Sequence, residues 1–394
     1  MRQRWRSTFA TSGSTGPRRP RRPRWLALVF ALSVAIVAAI LVLPPGRAAV
    51  KASLFLLEFF PVLHLQPLQR VTPAPSLERI ALPRGQGHAP ADLYRPGKAG
   101  RFGALVLLLG VNPLDLRDPL VVQLAQSLAR LDVIVLIPES PELKAGQISV
   151  SEVDAIVAAV EYLQQLPGVG GDRIGLAGFS VGASLAVLAA ADERIARDLA
   201  VVNLFGPYAD VRSLLRAVLT EEQSLDGNTI AWIPSDFSRD IVERLLLEAV
   251  EDDHDRSLLQ QAILTGEERA TALRTEAGRV VAALLGKPAP VEVERLLDAL
   301  PPTLAGRLDG LSPVRVAQRV HARVFLMHDR DDAFVPYTES RRLRDALPAG
   351  SLARYEEFDL FAHVVPDSER RLSLAGDIIR FWAYLAHLLS YVTS

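Results

Sequence analysis

The stretch that most constrains the fold of this chain is Gly178-Phe179-Ser180-Val181-Gly182, read with its flanks. Before it stands Asp172-Arg173-Ile174-Gly175-Leu176-Ala177, short and apolar enough for a buried strand. After it runs Ala183-Ser184-Leu185-Ala186-Val187-Leu188-Ala189-Ala190-Ala191, a run of strong helix formers. So sharp a passage from strand into helix forces the central serine into a strained backbone conformation with its hydroxyl exposed. Strand and helix then pass so closely that the positions two before and two after tolerate little beyond glycine. The first N–H groups of the helix have no acceptor within it and can face a developing negative charge. A glycine-rich turn with an ordinary capping serine shares the letters G-x-S-x-G, but not this context.

The 394 residues leave room for one large α/β domain with additions. A net charge of −1 gives no electrostatic reason to bind nucleic acid. With no cysteine there is no disulfide, thiolate nucleophile or cysteine-held metal. The charge is uneven, however. Residues 1–24 carry eight arginines and no acid, and so polar a segment is expected to be disordered. Residues 25–43 then form a 19-residue run without a charge or a proline. As a helix this run spans roughly 28 Å, close to the thickness of a hydrocarbon core. The rival reading, a cleavable signal peptide, usually has a shorter apolar core of about 7–15 residues and a small-residue cleavage site. The expectation is an uncleaved single-pass anchor in the cell membrane. The arginines before it put the N-terminus in the cytoplasm and the rest of the chain outside.

Beyond Pro44-Pro45-Gly46, the apolar stretch 54–63 is too short to cross again. It suits either a surface helix with its aromatics at the membrane interface or a helix packed on the following domain. The prolines at 67, 73 and 75 make residues 44–76 read as a membrane-proximal linker. From Leu77 strands and helices alternate. Strands are expected at 77–82, 91–94, 104–109, 133–137, 173–177, 200–204, 323–328 and 353–358. Helices are expected at 119–130, 149–165, 181–191, 338–346 and 367–391. Apolar strands with intervening helices mean a mostly parallel sheet covered on both faces. Val153, Ile156, Val157, Val160 and Leu163 space as one buried helical face. The alternation stops at residues 211–320, where no strand is convincing and 18 acidic residues face 13 basic ones. Some 110 residues are too many for a loop, so a helical cap inserted between 77–210 and 321–394 is expected. Glu251-Asp252-Asp253-His254-Asp255 within it reads as a solvated acidic turn rather than a metal site, because successive side chains diverge.

A serine nucleophile needs a base to take its proton and an acid to orient that base. Topology narrows the search to an acid after a late strand and a base in the loop beyond the next. The first place holds Asp329-Arg330-Asp331-Asp332 and the second Asp359-Leu360-Phe361-Ala362-His363. The order Ser180, acid, His363 suits an elbow of this kind. His328, at a strand end, reads as structural or gating. His64, His88, His254, His321 and His387 read as surface or packing residues.

Ala91-Asp92-Leu93-Tyr94-Arg95-Pro96 and Asp172 through Ser180 resemble the α/β-hydrolase family, most of all its dienelactone-hydrolase and acyl-peptidase-like branch. The resemblance covers roughly residues 77–390. It implies a mostly parallel sheet of about eight strands and hydrolysis through a seryl acyl-enzyme, with no metal or organic cofactor. The family pattern D-x-x-V-P, matched by Asp332 to Pro336, puts the acid on Asp332, with Asp331 as the alternative, and the base on His363. The oxyanion donors implied are the N–H groups of Val181 and Val111. Two departures stand out: Leu109-Gly110 where the family often has His-Gly, and Asp329 where it often has Gly. Dienelactone hydrolases use cysteine, so that narrower activity does not carry over. The chain therefore reads as a membrane-anchored serine hydrolase cleaving small, including lipophilic, carboxylic esters. A peptidase or acyltransferase sharing the acyl-enzyme step is the enzymatic alternative. A binding module whose elbow does no chemistry is the non-enzymatic one.

Overall fold

The computed structural model describes residues 43–59, 66–111, 116–248, 250–265, 272–363, 365–366 and 374–393. The apolar run 25–43 therefore lies outside the described residues, apart from its last member. Among the described residues, no helix is long and apolar enough to cross a membrane.

Helix α1 (Pro44–Phe59) opens on the two prolines, whose missing N–H groups cost nothing in a first turn. It lies on the domain. Ala48, Ala52 and Phe55 are buried in a cluster with Leu389 of the last helix, and Glu58 accepts the Leu68 N–H at 3.0 Å. The short helix α2 (Pro67–Val71) follows, and Arg130 donates to the carbonyls of Thr72 at 3.0 Å and Pro73 at 3.2 Å. What reads in the sequence as a proline-dotted linker is thus tied down on both sides of residues 60–65.

The sheet has eight strands: β1 (Ser76–Arg84), β2 (Gly87–Arg95), β3 (Phe102–Leu108), β4 (Val133–Pro138), β5 (Val169–Phe179), β6 (Leu199–Phe205), β9 (Arg323–Asp329) and β10 (Leu352–Phe358). Their spatial order is β1-β2-β4-β3-β5-β6-β9-β10. β2 runs antiparallel to both of its neighbours, and from β4 onward every pairing is parallel. All eight expected strands are present. This is the α/β-hydrolase fold. Along β3, Ala104, Val106 and Leu108 enter one core cluster while Leu105 and Leu107 enter the other. Burial on both faces is why the strand reads as a continuous apolar run.

Helix α3 (Pro119–Arg130) covers one face, and after the single-turn α4 (Pro141–Lys144), α5 (Ser151–Gln165) covers the other with Ile156, Val157, Val160 and Leu163 buried. All ten residues of α6 (Val181–Ala190) are buried between sheet and neighbours, as a helix apolar all round must be.

The insertion is mostly helical: α7 (Val211–Thr220), α8 (Asp236–Glu248), α9 (Asp253–Thr265), α10 (Glu276–Leu285), α11 (Pro290–Asp298) and α12 (Pro302–Gly310). It also holds a hairpin, β7 (Glu222–Leu225) with β8 (Asn228–Ala231), which its composition hides. Its signal is Asp226-Gly227, both at positive φ (52° and 77°), the pair favoured in a two-residue hairpin turn. Asp255 differs from the rest of its acidic run in being fully buried. It accepts from the Arg274 and Thr275 N–H groups at 2.9 and 2.8 Å and so ties α9 to α10. Val242, Leu259, Val281, Leu296 and Leu308 share one buried cluster with the sheet and α6, so the insertion has no separate core. Beyond it, α13 (Tyr337–Ala346) and α14 (Leu374–Thr393) complete the layers, and Phe361–Ala362 and Val365–Pro366 form the short ribbon β11–β12.

Candidate active site

Ser180 sits between β5 and α6 with φ 53° and ψ −127°, a conformation an L-residue holds only under constraint. Its N–H donates to the Phe205 carbonyl at 2.8 Å. The glycines around it are sterically required. A Cβ on Gly178 would lie 2.5 Å from the Cα of Ala183, and one on Gly182 would lie 2.5 Å from the Leu108 carbonyl oxygen. Gly110 closes the far side of the serine, because a Cβ there would lie 3.0 Å from Ser180 Cβ. Val111 follows it directly, partly buried against the core. Val181, the first residue of α6, has no acceptor for its N–H within the helix.

His363 stands at the tip of the β11–β12 ribbon with φ 61°. Its Nδ1 is 2.6 Å from Asp332 Oδ2. Asp332 is buried, 1% exposed, and every face of its carboxylate is engaged. Oδ1 accepts from the N–H groups of Phe334 at 2.7 Å and Val335 at 3.1 Å. Oδ2 faces His363 and, at 3.2 Å, His328 Nε2. Burial alone would push this carboxyl up, but the two imidazoles hold it well below the usual carboxylate range.

The three aspartates of this loop have different surroundings. Asp331 is exposed. Asp329 is buried and accepts from the N–H groups of Asp331 at 3.0 Å and Phe361 at 2.7 Å. It therefore fixes the start of the ribbon that carries His363. Asp332 alone of the three is paired with His363.

Gly206 brings serine and histidine together. Its neighbour Phe205 holds the Ser180 N–H, and a Cβ on Gly206 itself, at φ 62°, would lie 3.4 Å from His363 Cε1 and 3.5 Å from Asp332 Oδ2. Ser180, His363 and Asp332 therefore converge on the C-terminal end of β6. The glycine closing the run Leu204-Phe205-Gly206 was the available signal for it. Phe334, which no motif singles out, stacks on the His363 ring at 4.6 Å and 21°. His328 is fully buried, with Nε2 2.9 Å from the Val335 carbonyl and Nδ1 2.5 Å from Ser340 Oγ, so it belongs to the acid loop. The remaining described histidines lie elsewhere: His88, His254 and His321 are exposed, and His387 packs on Phe325 at 5.0 Å.

A cavity of about 40 Å³ lies beside the elbow, with Leu109, Gly110, Gly182 and Leu185 in its wall. Its polar end is a closed ion cluster in which Arg84 donates to Glu142 and Glu152, and Ser140 Oγ to Glu152 at 2.8 Å. Among the described residues there is no group of three or more side chains able to hold a metal ion. Chemically, a serine on a strained turn, an imidazole–carboxylate pair at the same strand end and the first N–H groups of a helix can support attack on a carbonyl carbon.

No protein-family model and no curated protein matches the sequence. Among solved structures, the chain is similar to Porphyromonas gingivalis dipeptidyl peptidase 4, with 14% identity, 79% of this chain and 35% of that chain covered, and a TM-score of 0.45. It is also similar to the 2,6-dihydroxy-pseudo-oxynicotine hydrolase (16% identity, 80% and 68% covered, TM-score 0.42). A third likeness is to the α/β hydrolase GrgF from Penicillium sp. sh18 (15% identity, 79% and 99% covered, TM-score 0.46). The chain spans little more than a third of the length of the dipeptidyl peptidases. At these identities and scores the likenesses lend nothing to the chemistry, and the fold stands on the strand order itself.

Proposed function

We propose that this protein is a serine hydrolase that cleaves carboxylic esters, with Ser180 as nucleophile, His363 as general base and Asp332 as the orienting acid. The observation that carries the reading is the convergence at Phe205-Gly206. The Ser180 backbone is held by Phe205, and the His363–Asp332 pair, at 2.6 Å, packs against Gly206. In this reading the Ser180 hydroxyl attacks the ester carbonyl as His363 takes its proton. Asp332 keeps the Nδ1 proton in place and stabilises the imidazolium. The N–H groups of Val181 and Val111 face the oxyanion. Collapse of the tetrahedral intermediate expels the alcohol, protonated by His363, and water then releases the acid from the acyl-enzyme. Residues 25–43 anchor the protein in the cell membrane, with the catalytic domain outside the cytoplasm.

Labelling with a fluorophosphonate probe tests the nucleophile. The wild type should label, and Ser180→Ala should abolish labelling and lower kcat by about 10⁴-fold or more while leaving the fold intact. Undiminished hydrolysis by that variant would remove the reading. A panel of esters, peptides and acyl acceptors then separates esterase from peptidase and acyltransferase.

A further inference from the structure

Three consecutive carbonyls of the acid loop accept hydrogen bonds from one short segment of the insertion. Trp232 Nε1 donates to the Asp332 carbonyl at 2.7 Å. The Ser235 N–H donates to the Ala333 carbonyl at 2.7 Å. Ser238 Oγ donates to the Phe334 carbonyl at 3.0 Å. Trp232 and Ser238 are both only 7% exposed, so these bonds are shielded from water and are costly to leave unmade. The Ser235 and Ser238 hydroxyls lie 2.9 Å apart, and Ser235 Oγ accepts the Ser238 N–H at 3.2 Å, which locks the segment at the start of α8. The same segment also reaches the imidazole. Phe237 packs on Phe334 at 5.9 Å, and Phe334 stacks on His363.

We propose that residues 232–238 are a clamp on the acid loop, and that Trp232 and Ser238 are positioning residues for the His363–Asp332 pair. The inference rests on the hydrolase reading for its kinetic consequences, though not for its structural ones. These three carbonyls lie beyond the end of β9 at Asp329, and the insertion supplies donors to them. Without those donors Asp332 keeps its local bonds to Phe334 and Val335, but the loop as a whole is free to shift relative to His363. A displacement near 1 Å is enough to cost about 10² in rate. This edge of the insertion is thus a fixed part of the site, and any movement admitting substrate has to hinge elsewhere.

Trp232→Phe tests the clamp by removing the N–H donor while keeping an aromatic ring, and because phenyl is smaller than the buried indole, the Ser238 pair serves as the control for lost volume. Ser238→Ala and Ser238→Thr form a second, milder pair, in which only the alanine loses the hydroxyl. In Trp232→Phe and Ser238→Ala, kcat should fall roughly 10- to 100-fold with KM changed less than about threefold, and Ser238→Thr should recover most of the loss. The acid limb of the pH–rate profile should move to lower pH, since a loosened carboxylate stabilises the imidazolium less. The proton between His363 Nδ1 and Asp332 Oδ2, observed far downfield by NMR, should broaden or shift in both variants, whether or not substrate is turned over. The clamp is overturned if both variants lose thermal stability while that resonance, kcat and the pH limb stay where they were. A broadened or shifted resonance in both clamp variants, together with hydrolysis that survives Ser180→Ala, would leave the clamp standing and sink the hydrolase reading instead.

Discussion

Replacement of Asp332 by asparagine tests the proposed orienting carboxylate with almost no change of shape. In the structure Oδ1 accepts from two backbone N–H groups, so an asparagine keeps its carbonyl oxygen on that side. Its NH₂ then takes the place of Oδ2, 2.6 Å from His363 Nδ1 and 3.2 Å from His328 Nε2. A donor there requires His363 Nδ1 to be an acceptor, which moves the imidazole proton to Nε2. The nitrogen meant to take the serine proton is then already protonated. A wrong tautomer of this kind costs on the order of 10⁴ in kcat, or about 5.4 kcal/mol of barrier, with KM little changed. Asp331 is exposed and not paired with His363, so Asp331→Asn should stay within about tenfold. The assay is steady-state hydrolysis of the best ester by both variants, each shown folded by circular dichroism and thermal melting. A large loss in Asp331→Asn with a small one in Asp332→Asn would refute the assignment of the acid.

Two further outcomes follow from the geometry and one from the sequence. Gly178→Ala puts a methyl 2.5 Å from the Gly182 carbonyl oxygen and from Ala183 Cα, both main chain. It should cost about 1–3 kcal/mol in denaturant unfolding, and displacement of Ser180 should lower kcat about 10²-fold. Glu357 lies five residues before the ribbon's second residue, Ala362, on β10. Burial pushes its carboxyl up, but Arg341, Tyr355 and Arg330 outweigh this and bring it down to about 2. A depressed carboxyl contributes stability that is present above its unfolded value near 4.3 and is lost as pH falls towards 2. Glu357→Gln should therefore cost about 2 kcal/mol at pH 7, and the gap from wild type should narrow below roughly pH 4; an equal gap at both pH values would refute this. If residues 25–43 anchor the protein as proposed, protease added to intact spheroplasts should digest the domain and spare residues 1–24, and protection of the domain until lysis would reverse the proposed orientation.

The sequence by itself determined the alternation of strands and helices, the elbow and its glycines, and the chain order of Ser180, the aspartate loop and His363. All of these are local. Hydrophobic periodicity follows from backbone geometry, and Gly178 and Gly182 are demanded by contacts within one strand–turn–helix unit and the strand beside it. The hairpin at Asp226-Gly227 was also legible, but a helical, charged surrounding outweighed a two-residue signal.

The family pattern pointed to Asp332, but its contact with His363 exists only in the tertiary structure, since that pair is 31 residues apart and the contact turns on how one loop packs. The bond from Trp232 to Asp332 spans 100 residues and leaves no trace in either local pattern. The apolar stretch 54–63, of which residues 54–59 are described as the end of α1, suits a membrane surface or a protein surface equally well in the sequence. The partner that settles the described position of α1 is α14, met through Trp382 Nε1 and Ser53 Oγ, 329 residues apart. Periodicity shows that an apolar face must be covered, but the covering surface exists only once distant parts of the chain have come together.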